Sequence, residues 1–307
     1  LSANQRIACA SCHRQALAFG DDAIASTGVG GESRRHSMRL VNLRFHREPS
    51  FFWDGRLDKL TEVTVAPIIN QLELGFSGQN GAPALADLFQ LLDETTFYGP
   101  LFTAAYGTPE ATEERIADAL AQFIRSLQSF DSKYDVGRAQ VANDGLDFPN
   151  FTEQENFGRA LFGSRAQFGA QGGRIGGGLG CGACHQAPEF SIDPFSGNNG
   201  VTASIGGGLP DLEVDRSPTL RDLFQPDGTE NSPFMHNGAF PNLISVMAHY
   251  NNIPMDNPGL DPRLRPGTGP QTMNMTTDER DAVIAFLRTL SGTAIYTHPR
   301  WSNPFPE

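Results

Sequence analysis

Two stretches, Cys9-Ala-Ser-Cys12-His13 and Cys181-Gly-Ala-Cys184-His185, decide how this chain is read. Each is a CxxCH run, and together they hold all 4 cysteines of the 307 residues. Two thiols at this spacing can form thioethers with the vinyl groups of one haem, and the following histidine is then held beneath the iron as proximal ligand. A zinc site would draw four ligands from two CxxC pairs without needing a histidine directly after each, and a thioredoxin-like redox pair does not need one either. The repeated CxxCH, with no cysteine left for a disulfide, therefore points to two covalently bound haem c groups. One is ligated by His13 and the other by His185.

The rest of the composition sets bounds on what carries these motifs. Apolar residues make up 39% and charged residues 19%, enough for a packed core. The 33 glycines and 21 prolines exceed ordinary usage and predict long irregular loops. A net charge of -12 disfavours nucleic acid and anionic membranes and favours a basic patch on any partner. No apolar run approaches the length of a bilayer span. The residues before Cys9 show no signal-like segment, so the chain reads as a mature or trimmed protein.

Helical signals dominate between the motifs. Leu85, Leu88, Phe89 and Leu92 share one face of a helix over about 83–92. Thr112 caps a stronger one over about 113–128, with Ile116, Leu120, Phe123, Ile124 and Leu127 at helical spacing. The polar, turn-rich stretch 137–149 marks a domain boundary, dividing the chain into 1–145 and 146–307. Capping boxes at Thr152-Glu-Gln-Glu155 and Thr276-Thr-Asp-Glu279 open two further helices, and another covers about 242–250. The glycine-dense segment 172–180 reads as a mobile loop leading into the second motif. Residues 20–50 read as irregular. The expected fold is mainly α: two cytochrome c-like haem domains with long irregular loops.

Further segments add a specific likeness. Phe52-Trp-Asp-Gly-Arg56 followed by Pro67-Ile-Ile-Asn-Gln-Leu-Glu-Leu-Gly75, and Arg216-Ser-Pro-Thr-Leu-Arg221 followed by Pro233-Phe-Met-His-Asn-Gly238, resemble the bacterial di-haem cytochrome c peroxidase and MauG superfamily. With both haem motifs, the resemblance spans nearly the whole chain. It implies an oxidoreductase acting on hydrogen peroxide, with the reactive haem in the first half and an electron-handling haem in the second. It also implies a periplasmic location, since haem c is attached outside the cytoplasmic membrane, and a homodimer, the frequent state of family peroxidases.

By the same resemblance, Trp53 matches the tryptophan lying between the two haems, and Glu73 the distal glutamate above the reactive haem. Such a carboxylate takes a proton from one peroxide oxygen and delivers it to the other. Without the motif, Trp53 beside Phe51 and Phe52 would read as core packing and Glu73 as a surface charge. Pro67 matches a proline lining the same pocket. Arg56 and Arg221 are candidates for the haem propionates, because a guanidinium forks onto carboxylates; otherwise they read as ordinary ion pairs.

Three positions depart from the family pattern. The loop Ser26-Thr-Gly-Val-Gly30 lacks the histidine that blocks the iron in several family peroxidases, so the haem of His13 is expected to be five-coordinate. His36 and His46 lie nearby and read as structural histidines. Val63 stands where peroxidases often have a glutamine that hydrogen-bonds the glutamate. His36 stands where an asparagine is associated with a calcium ion between the haems. A calcium here would rely on backbone carbonyls and waters, with Glu32 the one acidic donor in the stretch.

The second haem's distal ligand separates two branches. Register from His236-Asn-Gly238 brings Tyr250 to the axial position, which is methionine in the peroxidases and tyrosine in MauG. In Val246-Met-Ala-His249-Tyr250, Met247 is the runner-up, and His249 can also bind iron. Met273 and Met275 read as packing residues. Three functions stand: a peroxidase drawing electrons from a small cytochrome c or copper protein; a MauG- or MbnH-like enzyme whose peroxide-generated bis-ferryl haem oxidises a tyrosine or tryptophan of a partner protein; and a non-enzymatic electron carrier.

Overall fold

Three helices begin where the capping residues place them. In the structure, a computed structural model, residues 2–45, 50–191, 196–213, 216–254 and 256–304 are described. Thr112 Oγ1 accepts the Arg115 amide at 3.3 Å and opens the helix Glu113–Ser126. At Glu153–Gly163, Thr152 Oγ1 accepts the Glu155 amide at 3.2 Å while the Glu155 carboxylate accepts the Thr152 amide at 2.6 Å. Thr276 and Glu279 make the same reciprocal pair at Thr277–Arg288. Each box satisfies two amides that a helix start otherwise leaves without a partner.

In chain order the α-helices among the described residues are α1 (Leu60–Ile69), α2 (Leu85–Glu94), α3 (Tyr98–Tyr106), α4 (Glu113–Ser126), α5 (Lys133–Arg138), α6 (Glu153–Gly163), α7 (Leu243–Asn251), α8 (Thr277–Arg288) and α9 (Ala294–Thr297). The molecule is mainly α, as expected. Each CxxC run forms a short 3-10 turn, Cys9–Ser11 and Cys181–Ala183, and the amides of His13 and His185 donate to the carbonyls of Cys9 and Cys181.

The segment expected to be a mobile glycine loop is instead partly strand. Arg174–Gly177 (β2) pairs antiparallel with Ala166–Phe168 (β1). Arg174 anchors it: its amide donates to Thr272 O at 2.8 Å and its guanidinium holds the Glu279 carboxylate. Glycines lower strand propensity, but this ladder and ion pair outweigh that preference.

The largest core cluster gathers Tyr134, Phe148, Phe162, Phe190, Phe224, Met247 and Phe286 around α6–α8. α6 and α8 cross so closely that a Cβ on Gly158 would lie 1.9 Å from Ala282 O. A second cluster joins Ile68, Leu74, Phe76, Leu88 and Phe102 in the first half. A third brings Ile295, Tyr296 and Trp301 from the C-terminal region onto Ala18, Phe19, Val41 and Leu127.

Candidate haem-binding and peroxide site

Both histidines of the CxxCH motifs are oriented by backbone. His13 Nδ1 lies 3.1 Å from Phe19 O, and His185 Nδ1 lies 3.0 Å from Pro218 O and 3.3 Å from Phe190 O. A carbonyl can only accept, so Nδ1 carries the proton and Nε2 is left as the nitrogen able to coordinate a metal. Burial holds His185 down to about 4 and His13 below its usual value, keeping both imidazoles neutral as a metal ligand requires. Pro218 belongs to the Arg216–Arg221 motif, which thus orients His185 directly. Two adjacent free thiols and a neutral, pre-oriented imidazole at each run fit a covalently held haem.

Glu73 is set by the loop across from it. Val29 N donates to Glu73 O at 2.8 Å, and Gly30 N to Leu72 O at 3.2 Å. A Cβ on Gly28 would sit 2.0 Å from Leu72 O and 2.7 Å from Glu73 Cα, so this loop needs its glycine. Pro67, within the last turn of α1, accepts the Leu74 amide at 3.1 Å and fixes the other side of the turn.

The Glu73 side chain is half-buried, and Asn70 Nδ2 donates to its Oε1 at 2.8 Å. Asn70 was not singled out from the sequence; it supplies the hydrogen bond that Val63 cannot. Burial raises the Glu73 carboxyl above its usual value, against the opposing pull of Arg56 and Asn70. Ala3 N donates to Leu74 O at 2.8 Å, so the Glu73 turn is tied to the segment that leads into the first CxxCH run; burial, with Asp21 and Glu73, pushes the Cys12 thiol up.

Trp53 sits on the seam between the two halves. Its Nε1 donates to His36 O at 2.7 Å, its carbonyl accepts the Arg216 amide at 2.8 Å, and its ring meets His236 edge-on at 6.2 Å. His36 N donates to His236 O at 2.6 Å, and Arg216 Nη1 donates to Phe52 O at 2.9 Å. Three motifs of the sequence thus meet at one place, together with His36. His36 is buried with Nδ1 on Ala23 O at 2.8 Å; His46 lies outside the described residues.

The two arginines expected at the propionates differ. Arg56 is exposed, stacks 3.8 Å above the Phe52 ring and pairs with Asp54 at 2.8 Å. Arg221 is fully buried, its fork holds Asp135 at 2.7 and 2.9 Å, and its Nε donates to Pro188 O. These bonds tie it inside the second half. Arg39, missed in the sequence, has no hydrogen-bond or ion-pair partner among the described residues, and its stem lies against Gly20 beside the His13 loop.

On α7, Leu243, Val246, Met247 and Tyr250 recur at helical spacing. The first three pack in or against the large core, and Tyr250 is half-buried. His249 turns elsewhere, its Nε2 on Asn199 O at 2.9 Å, which engages the nitrogen an iron would need. Among the described residues no helix is long and apolar enough to cross a membrane.

Residues 1–141 match the di-haem cytochrome c peroxidase family. Over nearly its whole length the chain is also similar to a methylamine utilization protein MauG from Methylophilus methylotrophus, at 27% identity over 96% of this chain and 79% of that one. The chain is thus similar to di-haem cytochrome c peroxidases over residues 1–141 and to MauG proteins over nearly its whole length. A cytochrome-c peroxidase, IdrP2, from Pseudomonas sp. (strain SCT) is 28% identical over 95% of this chain and 78% of its own. The fold matches the crystal structure of a MauG-like protein associated with microbial copper homeostasis. That match has a TM-score of 0.73 and 23% identity, covering 99% of this chain and 89% of the other.

Proposed function

We propose that this chain is a periplasmic di-haem peroxidase that reduces hydrogen peroxide at the haem held by His13. Electrons come from a small cytochrome c or copper protein through the haem held by His185. The division into haem units 1–145 and 146–307 is part of this reading. Haem, when bound, supplies the iron at which peroxide is reduced. Glu73 takes the proton from one peroxide oxygen and returns it to the departing one; Asn70 fixes its Oε1, leaving Oε2 for that exchange. Pro67 and the Ser26–Gly30 loop bound the pocket without offering a ligand. Trp53 carries charge across the seam, and Arg39 and Arg56 are the guanidinium groups for the propionates.

The observation that carries this reading is the half-buried, hydrogen-bonded Glu73 beside the first CxxCH run. A pure electron carrier has no use for such a carboxylate. The test is peroxide-dependent oxidation of a reduced small cytochrome c by the holoprotein. Rapid oxidation supports the peroxidase; no peroxide turnover with both haems present overturns it.

A second reading is favoured by Tyr250 on the core-directed face of α7, the expected axial ligand of the MauG-like branch, with Met247 one turn before it. There the oxidising equivalents go to a tyrosine or tryptophan of a specific partner protein. A near-infrared band after stoichiometric peroxide, with the small cytochrome left reduced, supports that branch.

A further inference from the structure

The seam between the two halves carries its own cation. Arg35 Nε donates to Asp211 Oδ2 at 2.8 Å and Nη2 to Asp211 Oδ1 at 3.0 Å, a bidentate pair across the seam. Nη1 donates to Asp54 Oδ2 at 2.6 Å, and Nη2 also meets the Glu213 carboxylate. One guanidinium therefore gathers three carboxylates, one from the first half and two from the second. Burial works against its charge, but Glu213, Asp211 and Asp54 more than offset that and hold the guanidinium above its usual value; the Asp54 carboxyl is lowered in return by Arg56 and Arg35.

The neighbours of this cluster matter more than its charge count. Arg35 precedes His36, whose carbonyl receives Trp53 Nε1, and Asp54 follows Trp53. Asp211 Oδ2 lies 3.8 Å from His236 Nε2, and the His236 ring faces Trp53. Arg35 thus grips the chain on both sides of the Trp53–His36 bond and fastens it to the segment beside His236. A calcium ion at this seam would need six to eight oxygens. The His36 carbonyl already receives Trp53, the three carboxylates are already paired, and no group of three or more His, Cys, Asp or Glu suited to a metal is found among the described residues.

We propose that Arg35 is the resident cation of the seam: a positioning residue that holds Trp53 in register between the halves and stands in for calcium there. The cation role rests on the two-haem reading alone; the positioning role is read against the wild type's peroxide-driven donor oxidation, and a wild type without that activity overturns the proposed function instead.

The experiment has two arms on the holoprotein, with haem content checked by absorbance so that failure to bind haem is seen separately. Equilibrium dialysis against calcium should find no stoichiometric binding to the wild type, and a chelator should leave both haem midpoint potentials in place. One bound calcium per chain, or potentials that move with the chelator, overturns the proposal. In the second arm, Arg35→Gln should shift both midpoint potentials downward, because the three carboxylates then face the haems uncompensated. Arg35→Lys should restore the potentials while donor oxidation stays slow, since a point charge lacks the fork that grips Asp211. Unchanged potentials in Arg35→Gln overturn the cation role, and normal donor oxidation in Arg35→Lys overturns the positioning role. If Arg35→Gln does not fold, the Arg35→Lys variant and the wild-type dialysis still decide.

Discussion

The indole nitrogen of Trp53 donates to the backbone carbonyl of His36 at 2.7 Å, and the carbonyl of the same tryptophan accepts the Arg216 amide from the other half of the chain. Trp53 is therefore held at both ends by backbone, one end on each half. Trp53→Phe keeps an aromatic ring and the main-chain bond but removes the indole donor, a loss of about 1 kcal/mol in net hydrogen bonding. Peroxide-driven oxidation of an external donor should slow severalfold while the thermal midpoint moves little. Stopped-flow mixing of peroxide with the reduced holoprotein reads the first, and calorimetry the second.

Glu73→Gln keeps the shape and the Asn70 contact but cannot take a proton. Peroxide turnover should fall by about 10²-fold or more, the usual contribution of a positioned acid–base group, with haem content and the ferric spectrum unchanged. Unaltered turnover would sink the mechanism proposed above.

The pH profile carries a sign that can be checked. Burial raises the Glu73 carboxyl, while Arg56 pulls it down. Turnover needs the carboxylate, so it should fail as pH drops, with an acid limb above that of an ordinary glutamate. Arg56→Gln removes the downward pull and should move that limb to higher pH. A limb that moves the other way contradicts the downward pull of Arg56 on Glu73.

Gly28→Ala places a methyl group into the backbone of Leu72 and Glu73. The turn must shift, so peroxide turnover should drop by about tenfold or more, in keeping with what small misplacements of reacting groups cost. Haem loading at both CxxCH runs should persist, as measured by the pyridine haemochrome.

Asp222 is fully buried, and burial raises its carboxyl to about 6, against Ser129, the Gly292 amide, Arg39 and Arg221. A carboxylate raised in the folded state favours folding at low pH and loses that advantage as pH climbs through about 6. Asp222→Asn should therefore raise stability above neutral pH, by on the order of 2–3 kcal/mol at most, and give no gain near pH 4. Urea titrations at the two pH values distinguish these outcomes.

Local chemistry made much of this molecule readable. The CxxCH runs, the Thr152 and Thr276 capping boxes and the Thr112 cap depend on residues within a few positions of one another, and the structure has them where the sequence put them. α1 escaped notice because Pro67 stands inside it and β-branched residues fill it. β2 was hidden by its glycines, since what makes it a strand is Thr272 and Glu279, far along the chain. The Arg221–Asp135 pair was hidden for the same reason: its members lie 86 residues apart. Arg35 could not be read at all, because Asp211 is 176 positions downstream. Asn70 was closer to hand: an amide three residues before Glu73 is a signal that sequence reading can use.

The carbonyl that orients His13 belongs to Phe19, and Phe19 is packed by Ile295, Tyr296 and Trp301. Gln15 extends the same contact, donating to His298 O and accepting from Ser302. The first CxxCH run therefore depends for its finished geometry on a segment 283 positions downstream. Any chemistry at Cys9 and Cys12 can therefore precede the locking of His13, which becomes complete only when the segment around Ile295–Ser302 packs onto Phe19 and Gln15.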